Sequence, residues 1–418
     1  METQVLIIGG GISGMTAALS LARQGFETHI VEKDAALGGQ ARNLHKTWIG
    51  DDVQKLLSNM VADVEKQENI RVHLNTSLKN VEGFVGNFKS ALAWDNVEQR
   101  VEHGVTVIAT GASERTPEEY LYGQDSRIVT NLGLDRMFMN DDPAVRNAET
   151  AVFIQCVGSR EPDRPYCSRV CCTHSVDSAL ELKNRNPDMR VYVLYRDIRT
   201  YGERETIYRE AREKGVIFIR YETGDKPEVA LENGELTVTV TDHVLNRPVR
   251  IVPDILTLAS AVVPYRDEKL AQFFKVPMND DGFFVERHAK LGPSEFATDG
   301  VFLCGLAHYP KSIDESIAQG KAAASRAVTL LAQRKVFTSG EIAGVNPMSC
   351  SSCGVCVSVC PYSAPSFIPE DARFFPGKAE INSALCKGCG LCVASCRSGA
   401  IGLKGFDNDQ IFAMIEAV

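Results

Sequence analysis

Residues 4–14 read QVLIIGGGISG, and this stretch decides the fold. Residues 4–9 form a short apolar run that ends in glycines, the pattern of a buried strand. Gly9-Gly10-Gly11-Ile12-Ser13-Gly14 then supplies G-x-G-x-x-G. In that pattern the first glycine permits a tight turn, the second lets the backbone approach a pyrophosphate, and the third lets helix and strand pack closely. Over residues 12–24 the small and apolar positions Ala17, Ala18, Leu21 and Ala22 recur at helical spacing, and Thr28 to Glu32 reads as a second strand. Such a β–α–β unit sets a pyrophosphate against a helix N-terminus, where free N–H groups and the dipole favour an anion. Glu32, followed by Lys33, stands eighteen residues past Gly14, where a carboxylate accepts hydrogen bonds from ribose hydroxyls. A glycine-rich turn by itself can mean only that the loop needs positive φ. Strand, helix and Glu32 together favour the dinucleotide.

Working outward, three further segments point to FAD in place of NAD. Leu37-Gly38-Gly39-Gln40 follows Glu32 as in flavoproteins with two dinucleotide domains. Val107-Ile108-Ala109-Thr110-Gly111 resembles the segment that crosses near the pyrophosphate in those proteins. Thr298 to Gly305 resembles their C-terminal flavin motif, although Leu306 stands where an aspartate is usual. The backbone N–H groups that open the next helix, at Ser312 and Ile313, offer a substitute partner. A second α/β unit begins after Pro143: strands at Ala151–Gln155, Arg190–Tyr195 and Val216–Arg220, a helix over 172–184, a meander over 226–252, and a buried strand at Asp254–Ala259. Val301–Gly305 and a helix from Ile313 to Arg334 complete the first unit. The expected fold is α/β and thioredoxin-reductase-like, followed by an α+β ferredoxin. Its boundaries are residues 1–142 and 266–337 for the FAD-binding parts, 143–265 for the second α/β unit, and 338–418 for the ferredoxin.

Cysteine use sharpens this. The chain has 13 cysteines, none before Cys156. Cys350-x2-Cys353-x2-Cys356-x3-Cys360-Pro361 and Cys386-x2-Cys389-x2-Cys392-x3-Cys396 repeat the bacterial two-[4Fe–4S] run, in which each fourth cysteine serves the other cluster. The expected sets are therefore Cys350, Cys353, Cys356 with Cys396, and Cys386, Cys389, Cys392 with Cys360. Arg397 replaces the usual second proline, and its charge favours the reduced state of the nearby cluster. Where a thioredoxin reductase would carry its NADPH turn, the chain has Cys156-Val157-Gly158-Ser159-Arg160, with Cys167, Cys171 and Cys172 completing C-x10-C-x3-C-C. Four thiolates there suit a third [4Fe–4S] cluster; a structural zinc site and a redox dithiol are the alternatives. Adjacent Cys171 and Cys172 would make a strained disulfide. Cys304, inside an apolar run, reads as core.

Taken together, the chain resembles the A subunits of heterodisulfide reductases. The matching segments are GQARNLHKTWIG (39–50), VEGFVGNFK (81–89), QCVGSR to the Cys171-Cys172 pair (155–172), RDIRTYG (196–202) and PKSIDESIAQGKAAA (310–324), together with the ferredoxin runs. The resemblance implies FAD, three [4Fe–4S] clusters and work inside a larger complex. The implied partners are heterodisulfide reductase B/C-like subunits, hydrogenase-linked iron–sulfur or NADH-oxidising flavoprotein subunits, and ferredoxin. Some members of the family split electron pairs at the flavin. The expected form is the short one of anaerobic bacteria, like the relative that accompanies the tungsten-dependent benzoyl-CoA reductase complex. It lacks an extra N-terminal domain and an inserted ferredoxin, since Phe88-Lys89 runs on to Gly104.

The formal net charge of −9 excludes a basic nucleic-acid platform. No stretch is long and apolar enough to cross a membrane, and the N-terminus lacks signal-peptide organisation, so a cytoplasmic protein is expected. His308, Lys311 and Ser312 follow the last FAD strand, and Lys311 can tune a flavin by its charge, or simply be a solvated lysine at a helix start. Trp48 can pack on the flavin or in the core. A free-standing NAD(P)H-dependent disulfide reductase would need a second glycine turn and C-x-x-C beside the flavin, and the second unit has neither. A scaffold with inert clusters is the third possibility.

Overall fold

The computed structural model describes residues 2–95, 97–333, 335, 341–367, 377–405 and 407–417. The expected 337/338 boundary lies outside them. Val5–Ile8 sits in the middle of a five-stranded parallel sheet ordered Val301–Leu303, Val105–Ile108, Val5–Ile8, Thr28–Val31, Ile70–His73. The four residues of each of the three central strands are buried, as expected of a parallel sheet covered on both faces. Because the strands run in register, Gly9, Ala109 and Cys304 all leave the sheet at its carboxyl edge. Helix Ile12–Ala22 and the long helix Ile313–Leu331 pack against each other on one face. Gly320 allows the approach, since a Cβ there would lie 2.6 Å from the Ser13 carbonyl oxygen.

The second parallel sheet is ordered Ile217–Arg220, Arg190–Tyr195, Thr150–Val157, Ile255–Ser260, Ile128–Thr130. Thr150–Val157 runs two residues further than expected, through a register shift between Ile154 and Val157 where Cys156 adopts φ 62°. The bulge re-aims the chain where an ordinary strand would have continued. Antiparallel meanders are inserted in both units, over residues 77–103 and 228–251. The first was not expected. Nor was helix Val53–Lys66, which is capped by the Asp52 carboxylate accepting from the Lys55 N–H. The long helix ends at Leu331, short of Arg334.

The cysteine-rich C-terminal part holds two small ribbons, Ala343–Val345 with Ile401–Leu403 and Pro365–Phe367 with Ala379–Ile381, and the short helices Val355–Val359 and Leu391–Ala394. It meets the first unit at the amino edge of the sheet. Asp299, which forms an ion pair with Lys387, directly precedes Gly300, and the Gly300 carbonyl accepts from Thr106 at the start of its strand. The long helix leads there: Ser312 and Ile313 border the cleft at the carboxyl edge, and Leu331 packs by Gly104 at the amino edge. At 1.5 Å per residue, its 19 residues span about 28 Å.

Candidate flavin cleft and cysteine quartets

A cavity of about 450 Å³ opens along the carboxyl edge of the first sheet and continues between the two α/β units. Gly9, Gly11, Ile12, Ser13, Glu32, Lys33, Gly39, Gln40, Ala109, Thr110, Gly111, Lys311, Ser312 and Ile313 all border it. Gly14 and Gly305 do not border it. Both are closely packed: a Cβ on Gly14 would lie 2.0 Å from the Gly9 carbonyl oxygen, and one on Gly305, at φ 74°, 2.2 Å from Ser13 Oγ. A Cβ on Gly11 would meet nothing within 4 Å, so the backbone there stands open to an approaching phosphate. Helix Ile12–Ala22 has no side-chain cap, and its first N–H groups remain available for an anion. Glu32 Oε2 accepts from Gly10 N at 2.7 Å and Oε1 from Asp34 N at 2.9 Å. The carboxylate holds the glycine turn and keeps lone pairs for a ribose. These residues fit an FAD.

Lys311 is not a solvated lysine. It is 4% exposed, and its Nζ donates to the Gly305 carbonyl at 2.8 Å and to Gln319 Oε1 at 2.6 Å while lying 3.8 Å from the centre of the Tyr309 ring. Burial pulls its pKa down to about 7, against the opposing pull of Cys304 and Glu315. His308 is lowered by burial and shares Gln319 and Glu286 as partners. The helix start at Ser312 is closed by a capping box with Glu315, so it offers fewer free N–H groups than its position suggested. Trp48 stacks under the Arg204 guanidinium (5.5 Å), which also bonds Ser312 Oγ at 2.8 Å and Asp314 Oδ2 at 2.7 Å.

The far end of the cavity carries groups that the sequence reading missed. Lys46 reaches Asp177 at 3.5 Å and Glu181 at 2.9 Å; His174 Nε2 meets Asp135 Oδ1 at 3.0 Å. Burial pushes the Asp177 carboxyl up to about 6, with Lys46 pulling the other way. The segments that carry Lys46, Asp135 and Asp177 are far apart in sequence, and no spacing rule would have joined them.

Cys156, Cys171 and Cys172 are buried and Cys167 is half-buried. Burial first, then the thiols of Cys172, Cys156 and Cys167, push the Cys171 pKa well up. Cys171 also borders the flavin cavity. Arg160 Nη1 lies 4.0 Å from Cys156 Sγ, and the Arg169 N–H donates to Cys167 Sγ at 3.3 Å. Cations and N–H donors around thiols suit a ligated, anionic sulfur set. Cys171 and Cys172 begin helix Cys171–Arg185, whereas Cys156 sits at the strand bulge. Cys304 is fully buried in the core of the first unit.

In the C-terminal part, Cys360, Cys386, Cys389 and Cys392 ring one small gap, and Cys350, Cys353, Cys356 and Cys396 ring another. Gly354 and Gly390, at φ 76° and 75°, open the two short helices and bring Cys356 and Cys392 inward. Backbone donation from Val355 lowers the Cys353 thiol pKa, and the Ala343 N–H donates to Cys386 Sγ at 3.3 Å. Among the described residues no group of three or more His, Cys, Asp or Glu is spaced to hold a single metal ion. The quartets enclose gaps, and the donor sets fit iron–sulfur clusters.

Residues 3–136 match the pyridine nucleotide-disulphide oxidoreductase family and residues 349–400 the 4Fe-4S dicluster domain. Among solved structures, thioredoxin reductase of Lactococcus lactis is similar, with a TM-score of 0.56 at 19% identity over 79% of this chain and 99% of that one. The T. acidophilum enzyme has a TM-score of 0.54 at 14% identity over 78% and 97%. At such identities only the fold is shared. The chain is 32% identical to the iron-sulfur A subunit of the CoB–CoM heterodisulfide reductase of Methanocaldococcus jannaschii, over 100% of this chain and 77% of that one. It is also 32% identical to the A subunit of the H2:CoB-CoM heterodisulfide,ferredoxin reductase of Methanothermobacter thermautotrophicus, over 100% and 76%. With identity of this order running from the glycine turn through both ferredoxin runs, the chain belongs to the oxidoreductase family of heterodisulfide reductase A subunits.

Proposed function

We propose that the chain is a cytoplasmic electron-transfer subunit that holds one FAD and three [4Fe–4S] clusters and works within a larger redox complex. The observation that carries this reading is Cys171, which belongs to the first cysteine quartet and also borders the flavin cavity. FAD would exchange electrons in pairs and each cluster singly. The chain's own part is to hold these groups: the glycine turn and Glu32 at the dinucleotide end, Lys311 and Ser312 at the far side of the cleft, and twelve cysteines in three sets of four. A free-standing NAD(P)H-dependent disulfide reductase is disfavoured because a thiol quartet occupies the turn that a second nucleotide would need.

The ferredoxin part meets the sheet edge opposite the cleft. Two separated ports suit a protein that serves more than one partner, and branching of electron pairs is the finer form of this reading. The partners would be B/C-like, hydrogenase-linked or NADH-oxidising subunits and ferredoxin. Anaerobically purified protein should carry one FAD and, at four irons per cluster, about 12 iron atoms. Cys171→Ser should remove about four of them and leave the ferredoxin signals intact. About eight iron in the unaltered protein, with zinc making up the difference, would refute the quartet at Cys156 as a cluster site.

A further inference from the structure

The ferredoxin part has two quartets, and only one lies at its contact with the flavoprotein body. Tyr362 and Lys387 border both the gap ringed by Cys360, Cys386, Cys389 and Cys392 and a cavity of about 130 Å³ between the two parts. The gap of the Cys350 quartet is bordered by ferredoxin residues alone. From the body side, helix Glu268–Phe274 ends in Lys275, held left-handed at φ 53°. That conformation directs the chain out of the helix at the contact, and Lys275 Nζ donates to the Tyr362 carbonyl at 3.1 Å. Tyr362 follows Cys360 by two residues.

Two lysines thus flank this quartet, and they are not equivalent. Lys387 is ion-paired with Asp299, which offsets its charge. Lys275 is half-buried, and no carboxylate pairs with it among the described residues. A positive charge fixed on one side of a cluster favours the form that carries one electron more, because cluster potentials follow local charge, hydrogen bonding and exposure.

We infer that Lys275, a residue of the flavoprotein body, raises the reduction potential of the ferredoxin centre held by Cys360, Cys386, Cys389 and Cys392 and leaves that of the Cys350 quartet alone. This rests on reading both quartets as [4Fe–4S] ligands. The step is a one-electron reduction of that centre, with the electron coming from a low-potential donor such as dithionite. Because linkage is reciprocal, whatever factor docking adds to reduction, reduction adds to docking. The ferredoxin is held more tightly to the body when this centre is reduced.

The test is an anaerobic redox titration of the full-length, cluster-loaded protein with dithionite, followed by EPR, on the unaltered chain and on Lys275→Gln, Lys275→Arg and Lys387→Gln. Cys389→Ser identifies which ferredoxin signal belongs to the contact quartet. Lys275→Gln should shift that signal's reduction equilibrium about tenfold toward oxidised, equal to about 59 mV for one electron, with the other ferredoxin signal unmoved. Lys275→Arg should keep the original midpoint, and Lys387→Gln should shift it less than Lys275→Gln. Unchanged midpoints in Lys275→Gln, or equal shifts of both signals, would overturn the inference and leave Lys275 as a mechanical clamp. If Lys275→Gln loses iron, the arginine variant decides, since a clamp role predicts loss there as well. Absence of ferredoxin iron from the unaltered protein would refute the reading of the quartets, a different failure from that of the charge effect.

Discussion

Replacing Lys311 by methionine should abolish a pH dependence that the buried amine builds into the protein. The ordinary value of 10.5 falls to about 7, with burial as the leading cause. At about 1.36 kcal/mol per pH unit, holding the ammonium in place at pH 7 and below costs at most about 5 kcal/mol. That shift already contains whatever the hydrogen bonds to Gly305 O and Gln319 Oε1 and the Tyr309 ring face return to the ammonium, so the prediction rests on the pH dependence. Between about 7 and 10.5 the unfolded chain binds a proton at this lysine that the folded chain has released, so the lysine's cost to the folded state grows as pH falls and the unaltered protein gains stability as pH rises through that window. Methionine titrates nowhere and removes that slope. Denaturant midpoints of flavin-free protein, followed anaerobically by tryptophan fluorescence, should show unaltered protein and variant diverging from about pH 7 to 10, the unaltered protein becoming the relatively more stable. The difference between the two cancels other groups that titrate in the same range. A difference that stays flat across the window would mean that Lys311 keeps an ordinary, solvated amine.

Two further outcomes follow from the glycine turn and the thiol quartet. Gly14→Ala places a Cβ 2.0 Å from the Gly9 carbonyl oxygen, so helix and turn must separate; FAD content after gel filtration should fall by at least about tenfold, a loss of about 1.4 kcal/mol or more, and retention of full flavin would show that the turn adapts. NADPH and NADH should reduce the bound flavin slowly or not at all, because Cys156 and its insertion stand where a second nucleotide turn would be; rapid stoichiometric bleaching in an absorbance assay would overturn the assignment of the second α/β unit.

Local chemistry made much of the molecule readable in advance. The first β–α–β unit follows from an apolar run, three glycines and a helical repeat, all contained in residues 4–32, where strand pairing and turn geometry depend on near neighbours. The two ferredoxin runs are legible for the same reason, since cysteine spacing within one short segment limits which sulfurs can meet. The pairing of each fourth cysteine with the opposite run came from the known pattern, and the structure gathers the same two sets around its two gaps. Harder to read were helix Val53–Lys66, with only three buried residues among fourteen, and the residues 77–103 meander, whose outer faces are polar.

What the tertiary structure alone decided depends on contacts far apart in sequence. Lys311 could have been a surface lysine until Arg169 of the second unit bonded across to the Pro310 carbonyl and Glu315 on either side of it. The Lys46–Asp177 pair exists because two separately folded sheets share one cleft. The end of the first sheet on which the ferredoxin sits depends on where the long helix, 19 residues of it, delivers the chain. Each of these is a matter of packing between units, and a sequence pattern carries periodicity within a unit but no distance between units.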